Sequence, residues 1–265
     1  MPDASSVAPP GAISRAQGTI ATVPTPDRDL VRHVREALAT AGDPERAASA
    51  QAYMKSAMPF RGVAVPAVRS LVRTLVTASP LPDGATWRAT VLELWDPAAF
   101  REERYAALAV ARHPRHRPFR QVAALDLYEH LVRSGAWWDL VDEIATHLVG
   151  EVLLASPGQV APVIRRWASA DDLWVRRAAV LCQVGSGDRC DQDLLAETIL
   201  ANLDGSTGSR AARSPYGAEF FVRKGIGWAL RDHARTEPGW VASFVDEHAD
   251  SLSGLTRREA LKHLR

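Results

Sequence analysis

Apolar residues recur at three- and four-residue steps along most of the chain, which is the period of a helix with one buried face. Leu30, Val34 and Leu38 show this pattern near the N-terminus. No stretch alternates apolar and polar residues in the way that a half-buried strand does. The periodicity predicts an all-α protein with helices at residues 27–41, 44–56, 66–79, 84–95, 97–112, 119–134, 137–154, 159–169, 172–184, 191–203, 217–235, 239–250 and 254–264.

Proline, glycine and aspartate residues typical of helix ends separate most of these helices. The breaks include Asp96–Pro97, Pro157–Gly158 and Gly185–Gly187. Helices grouped in twos and threes form units of roughly 35–45 residues, a rhythm that indicates a HEAT-like superhelical solenoid with a concave binding face. We expect residues 1–26, which are rich in Pro, Ser, Ala and Thr, to form a flexible tail before a single repeat domain at 27–265.

The formal net charge of +1 conceals an uneven distribution of charge along the chain. Residues 97–133, 207–235 and 253–265 carry net charges of +3, +4 and +3, so the rest of the chain carries −9. Blocks of positive charge occur both on faces that bind a polyanion and on solvated helix surfaces. The charge pattern alone favours neither interpretation.

Several classes of protein are disfavoured. Apolar runs such as Leu148–Ala155 are much shorter than the ~18 residues of a membrane-spanning helix, and residues 1–26 lack the pattern of a secretory signal. Cys182 and Cys190 are too few for a disulfide scaffold and lack the paired spacing of a zinc site. The sequence contains no HExxH motif, no GxSxG motif and no phosphate-binding loop. We therefore expect a cytoplasmic protein without a metal or cofactor.

Residues 136–150, AWWDLVDEIATHLVG, combine an apolar stripe with two residues suited to chemistry. The stripe consists of Trp137, Leu140, Val141, Ile144 and Leu148. Asp139 and Glu143 point away from it. Trp138 and Asp142 are four residues apart on its flank, where an indole and a carboxylate would project together at the edge of the core. The alternative is a packed tryptophan beside a solvated aspartate.

Residues 219–235, EFFVRKGIGWALRDHAR, place Trp228 on the side opposite an aliphatic face. Lys224, Arg231 and Arg235 lie around it. An aromatic ring among cations suits nucleic acid, because Lys and Arg neutralise phosphates while the ring packs on a sugar or base. The alternative is a tryptophan that contacts another protein or holds a cation over its ring.

Arg177 lies at four-residue spacing between Leu173 and Leu181, so it leans toward the packed side of its helix. A buried guanidinium needs an anionic partner. Asp142 or a phosphate suits this position, although a structural salt bridge between stacked helices is the commoner use of such an arginine.

Four segments in order carry a family resemblance: YMKSAMPFRGV at 53–63, WWDLVDEIATHLVG at 137–150, LWVRRAAVL at 173–181 and EFFVRKGIGWALRDHAR at 219–235. Together they resemble the bacterial DNA alkylation-repair glycosylases of the AlkD family, which are built from HEAT-like repeats. The resemblance covers roughly residues 30–260. It implies double-stranded DNA as the partner, and since one curved solenoid can grip a duplex alone, we expect a monomer.

The resemblance also implies roles for individual residues. Trp138, Asp142 and Trp228 match the residues that line the lesion site in the family, and Arg177 and Tyr53 match residues that support it. The implied substrate is a purine alkylated at N3 or N7, which already carries a positive charge and leaves without a general acid. Asp142 would then stabilise the developing sugar cation and orient water, and both indoles would tolerate cations.

Two features depart from the family pattern. They are the tail at 1–26 and an apparent insertion around 206–216, which is basic through Arg210 and Arg213 and would lie beside the DNA. Strand scission through a Schiff base is not expected, because none of the chain's three lysines lies in the Asp142 segment.

The prediction is therefore a monofunctional DNA glycosylase that excises cationic N3- or N7-alkylated purines. One alternative is a specialised glycosylase for bulky natural-product adducts of adenine or guanine, as in the self-resistance of an antibiotic producer. The other is a non-catalytic HEAT-repeat scaffold that binds DNA or protein.

Overall fold

The computed structural model describes residues 24–203 and 216–264. These residues form fourteen α-helices and no β-strand, so the all-α prediction is confirmed. The helices are α1 (Arg28–Thr40), α2 (Pro44–Met54), α3 (Val65–Ala78), α4 (Gly84–Trp95), α5 (Arg101–Arg112), α6 (Leu125–Gly135), α7 (Trp138–Glu143), α8 (Gly150–Ala155), α9 (Pro157–Ala168), α10 (Leu173–Leu181), α11 (Gln192–Leu200), α12 (Phe220–His233), α13 (Pro238–Glu247) and α14 (Gly254–Ala260).

Helices pack mainly on neighbours in chain order. Helix α3 contacts α5, α10 contacts α12, and α12 contacts α14. Helix α9 packs against α10. One hydrophobic core runs through the stack, from Leu30 in α1 to Ala260 in α14. Packing between neighbouring units around a continuous core is the property that defines a HEAT-like solenoid.

Aspartate side chains begin several helices, as the break pattern predicts. Asp27, Asp43 and Asp83 each accept a hydrogen bond from a backbone N–H in the first turn of α1, α2 and α4. Asp172 accepts from two backbone N–H groups at the start of α10. These caps satisfy donors that have no partner inside the helix.

Two predicted helices begin four to six residues later than the periodicity indicates. The helix predicted from residue 97 begins at Arg101, whose backbone N–H donates to the carbonyl of Pro59. The helix predicted from residue 119 begins at Leu125, after short 3₁₀ segments at Pro114–Phe119 and Val122–Ala124. Local turns with apolar residues therefore continue the helical pattern of hydrophobicity without an α-helix.

The helix predicted at 137–154 contains a change of pitch. A π-helical segment, Ile144–Val149, joins α7 to α8. Cys182 approaches closely at its end, since a Cβ added at Gly150 would lie 2.5 Å from the Cys182 carbonyl oxygen. The π segment directly follows the turn that carries Asp142, and such segments are frequent near functional sites.

No helix within 24–203 or 216–264 is long and apolar enough to cross a membrane. All but the last three residues of the predicted tail at 1–26 lie outside the described residues, as do Arg210 and Arg213.

Candidate active site

An open cleft of about 650 Å³ lies between α7, α10 and α12, with the end of α2 at its rim. We call it the aromatic cleft. Its lining residues are Tyr53, Lys55, Trp137, Trp138, Asp142, Arg177, Phe220, Phe221, Lys224, Trp228 and Arg231. Seven residues predicted from the sequence therefore meet in one place, although they come from four helices.

Asp142 lies at the edge of this cleft and is held by Arg177. The guanidinium donates from Nε to Oδ1 and from Nη2 to Oδ2, both at 2.8 Å. The Asp142 side chain is 16% exposed and that of Arg177 is 5% exposed, so the carboxylate borders the cleft and the arginine lies beneath it. Of the partners considered for Arg177, Asp142 is the one that it contacts.

The paired carboxylate keeps part of its hydrogen-bonding capacity. A carboxylate has about four lone-pair sites, and Arg177 occupies two of those on Asp142. Burial raises the pKa of the Asp142 carboxyl, and the hydrogen bonds and charge of Arg177 oppose that shift. A desolvated carboxylate with free lone pairs can orient water and interacts strongly with a nearby positive charge.

Helix α12 is shaped to receive the Arg177 guanidinium. Arg177 Nη1 donates a short hydrogen bond to the carbonyl oxygen of Phe221. A Cβ added at Gly225 would lie 3.0 Å from the same Nη1 atom. Gly225 therefore lets the Arg177 guanidinium lie against α12 while the guanidinium binds the Asp142 carboxylate of α7.

Aromatic side chains form most of the apolar wall. Trp137 packs on Phe221 and Trp174, with ring centroids 5.4 and 5.8 Å apart. Trp138 and Trp228 are half-buried in the cleft. Tyr53 and Phe220 are 76% and 53% exposed, which is unusual for rings of their size. Sequence patterns did not indicate Trp137, Phe220, Phe221 or Lys55 as cleft residues.

Strained backbone lies next to two of these rings. Within the described residues, Lys55 and Ala136 are the non-glycine residues with positive φ, at 49° and 39°. Lys55 follows the helix that carries Tyr53, and Ala136 directly precedes Trp137. A non-glycine residue in the left-handed region costs free energy and is enriched at functional sites. Here the left-handed conformation turns the chain close to Tyr53 and to Trp137, two aromatic residues that line the cleft.

Lys224 and Arg231 lie in the cleft but are not free cations. Lys224 Nζ is 2.6 Å from Oε1 of Glu259, and Arg231 Nη1 makes a short contact with Oε2 of the same carboxylate. The hydrogen bonds from Lys224 and Arg231 lower the pKa of Glu259 despite its burial. No local sequence signal points to Glu259, because it lies 28 residues beyond Arg231, on α14.

Arg235 lies outside the aromatic cleft. It is exposed and pairs with Asp232 at 3.5 Å, and it is not among the residues that line the aromatic cleft. The expectation that it lies beside Trp228 assumed a helix through residue 235, whereas α12 ends at His233.

Other carboxylates of the Asp142 segment face helix α5. Asp139 accepts hydrogen bonds from Arg101 and from the Tyr105 hydroxyl, and Glu143 pairs with Arg112. In the described part of the chain, no group of three or more His, Cys, Asp or Glu side chains is arranged to hold a metal ion.

Comparisons with known proteins agree with this architecture. The sequence model of a family described as DNA alkylation repair enzyme matches residues 34–264. The solved structure of a predicted DNA alkylation repair enzyme from Enterococcus faecalis has a TM-score of 0.70 and 28% sequence identity, over 84% of this chain and 96% of that one. A comparison with curated proteins finds no match. The family match includes every residue that lines the aromatic cleft.

Proposed function

Because the chain belongs to the family of DNA alkylation repair enzymes, we propose that it is a monofunctional DNA glycosylase acting on duplex DNA. The proposed reaction hydrolyses the N-glycosidic bond of a cationic purine alkylated at N3 or N7. The observation that carries this proposal is Asp142, an arginine-held carboxylate at the edge of an aromatic cleft.

The chemistry begins with a base that is already positively charged. When the C1′–N9 bond breaks, its electron pair moves onto the purine, which leaves as a neutral base. Positive charge then develops on the sugar, and the Asp142 carboxylate stabilises it electrostatically. A water molecule adds to C1′ and loses a proton, and the free lone pairs of Asp142 can orient that water and accept the proton.

Arg177 acts as a positioning residue in this scheme. Its two hydrogen bonds fix the plane of the Asp142 carboxylate. Its charge also opposes the rise in pKa that burial causes, and so helps to keep the carboxyl ionised. The positive charge of Arg177 also partly neutralises the Asp142 carboxylate. Because the pair is largely shielded from water, the remaining attraction between the carboxylate and the sugar cation is stronger than it would be in water.

The aromatic residues of the cleft suit a cationic substrate. Trp138 and Trp228 line the cleft, and a cation over the face of an indole gains about 0.5–2 kcal/mol, depending on its desolvation. Lys55, Lys224 and Arg231 supply positive charge for the phosphates of the duplex. The cleft is open, so a nucleotide in a duplex has a route to Asp142.

The absence of strand cleavage is part of the proposal and needs its own support. The structure brings Lys55 and Lys224 into the cleft, although both are remote from Asp142 in the sequence. Lys224 forms an ion pair with Glu259 at 2.6 Å, so its amine is engaged by a carboxylate and is not free to attack C1′. Borohydride trapping of the wild-type protein on damaged duplex tests this part, and we expect no covalent adduct.

One observation favours the alternative of bulky adducts as substrates. Tyr53 and Phe220 expose most of their ring surface at the cleft. Exposed rings of this size offer apolar contact area to a large substituent on the base. A duplex with a bulky N3-adenine adduct, tested beside one with 7-methylguanine, shows which lesion is released faster.

A single-turnover assay on duplex DNA containing 7-methylguanine tests the main proposal. We expect free 7-methylguanine from the wild-type protein and none from undamaged duplex. Asp142→Asn should abolish release, whereas Asp126→Asn should not, since Asp126 pairs with Arg88 on an exposed surface. Binding of the duplex without release by the wild-type protein would instead support a non-catalytic scaffold.

A further inference from the structure

Glu259 connects helix α14 to the face of α12 that carries Trp228. Lys224, Trp228 and Arg231 are spaced by four and three residues, so they share one face of α12. The carboxylate of Glu259 binds both cations of this group, with Lys224 Nζ at 2.6 Å from Oε1 and Arg231 Nη1 in short contact with Oε2. One carboxylate from another helix thus holds the cations that lie one turn before Trp228 and one turn after it.

The position of Glu259 is fixed by the packing of the two helices. A Cβ added at Gly227 would lie 2.5 Å from Cβ of Glu259 and 3.1 Å from the carbonyl oxygen of Thr256. Thr256 Oγ1 also donates to the carbonyl oxygen of Arg223, at 3.1 Å. Glycine at 227 is therefore required for α14 to approach α12 so closely. The backbone contact at Thr256 places the glutamate between its two partners.

The shared carboxylate changes the charge that the cleft presents. Glu259 is 19% exposed, and its single negative charge opposes the two positive charges of Lys224 and Arg231. With Glu259 counted, this wall carries a net charge near +1, whereas Lys224 and Arg231 alone would give +2. Lys55 differs, because no carboxylate within the described residues forms an ion pair with it.

We propose that Glu259 is a specificity-determining residue that limits the attraction of Lys224 and Arg231 for the phosphates of undamaged DNA. This inference rests on duplex DNA being the partner, as in the proposed function. A phosphate competes with Glu259 for the two cations, so contacts with undamaged duplex are weakened. An alkylated purine is itself cationic, and two unscreened cations beside Trp228 would repel it. Glu259 therefore favours damaged over undamaged duplex.

Binding of undamaged duplex by Glu259→Gln at several salt concentrations tests the proposal. Each phosphate contact changes the slope of log K against log salt by about 0.9. We expect the slope of E259Q to steepen by about that amount and its affinity to rise by up to about eightfold at 0.1 M salt. Adding Lys224→Gln to E259Q should return the slope to its wild-type value.

Glu197→Gln is the matched control. Glu197 pairs with Arg165 at 2.6 Å on a surface away from the cleft, and its substitution should leave both slope and affinity unchanged. An E259Q protein with wild-type thermal stability and an unchanged or weaker affinity would overturn the proposal.

A second comparison does not depend on the folding of E259Q. Lys55→Gln should reduce the salt slope by about 0.9, whereas Lys224→Gln should reduce it less, because Glu259 already opposes the Lys224 charge. Equal reductions would contradict the proposal, as would the absence of any duplex binding by the wild-type protein. Duplex binding without base release would instead contradict only the glycosylase assignment.

Discussion

Two aspartates of helix α7, Asp139 and Asp142, each pair with an arginine, yet they have different surroundings. Asp139 accepts from Arg101 Nε at 3.1 Å and from the Tyr105 hydroxyl at 2.5 Å, and Arg101 Nη2 makes a further short contact. Asp142 accepts from Arg177 alone among the described side chains and borders the aromatic cleft. Three positions apart on one helix, the Asp139 carboxylate is bound by two side chains of α5, whereas the Asp142 carboxylate borders the large aromatic cleft.

The difference shows that pairing with arginine does not by itself identify a functional carboxylate. Two N–H groups of Arg101 and the Tyr105 hydroxyl donate to the Asp139 carboxylate. Burial raises the pKa of Tyr105, so its hydroxyl remains a donor at neutral pH. Asp142 keeps free lone pairs beside aromatic rings. We therefore assign a structural role to the Asp139 pair and a chemical role to the Asp142 pair.

The largest expected effect concerns the enclosed pair. Asp139→Ala leaves Arg101 buried without its partner, and breaking a buried ion pair in this way costs about 3–5 kcal/mol. Denaturant unfolding should show a loss of this size in the free energy of unfolding. Asp126→Ala, which removes the exposed partner of Arg88, should cost about 1 kcal/mol or less. Similar losses in the free energy of unfolding for the two variants would contradict the structural role assigned to Asp139.

The next effect concerns Trp228, whose indole lines the aromatic cleft together with Asp142. Trp228→Leu removes an indole face from the cleft, and a lost cation–π contact of about 1–2 kcal/mol corresponds to roughly a 5- to 30-fold lower rate of base release. Trp228→Phe keeps an aromatic face and should lose less. Single-turnover rates on 7-methylguanine duplex measure both. Equal rates for the leucine and phenylalanine variants would argue against a role for the ring face.

A smaller effect should appear in the pH dependence of base release. Only the ionised Asp142 is active in our scheme, and burial raises its pKa, so activity should fall on acidification at a higher pH than for an ordinary aspartate. Arg177 opposes that rise. Arg177→Met should therefore move the acid limb of the pH–rate profile to higher pH. A limb that stays in place or moves to lower pH would contradict the positioning role of Arg177.

Much of the fold could be predicted from the sequence, because helical periodicity and capping residues are local signals. The meeting of Trp138 and Asp142 follows from a spacing of four on one helix. Their meeting with Trp228 is implied by the family resemblance alone. Local periodicity cannot show which helices become neighbours.

The differences between the predicted and the observed site have identifiable physical causes. Trp137 packs against the core, as its place in the apolar stripe predicts, but it also lines the cleft, because it precedes the first turn of α7 in an extended conformation. Arg235 lies beyond the end of α12. Asp139 and Glu143 point away from the apolar stripe and pair with arginines of α5. Glu259 meets Lys224 across an interface between helices. Each of these contacts depends on tertiary packing.

The most direct test of the different roles of the two aspartates is the single-turnover release of 7-methylguanine by Asp142→Asn and Asp139→Asn, at a temperature where both variants are folded. We predict that D142N loses at least about 100-fold in rate while it still binds the duplex. D139N should retain a rate within about tenfold of the wild type. Equal losses in the two variants, or normal release by D142N, would contradict the account.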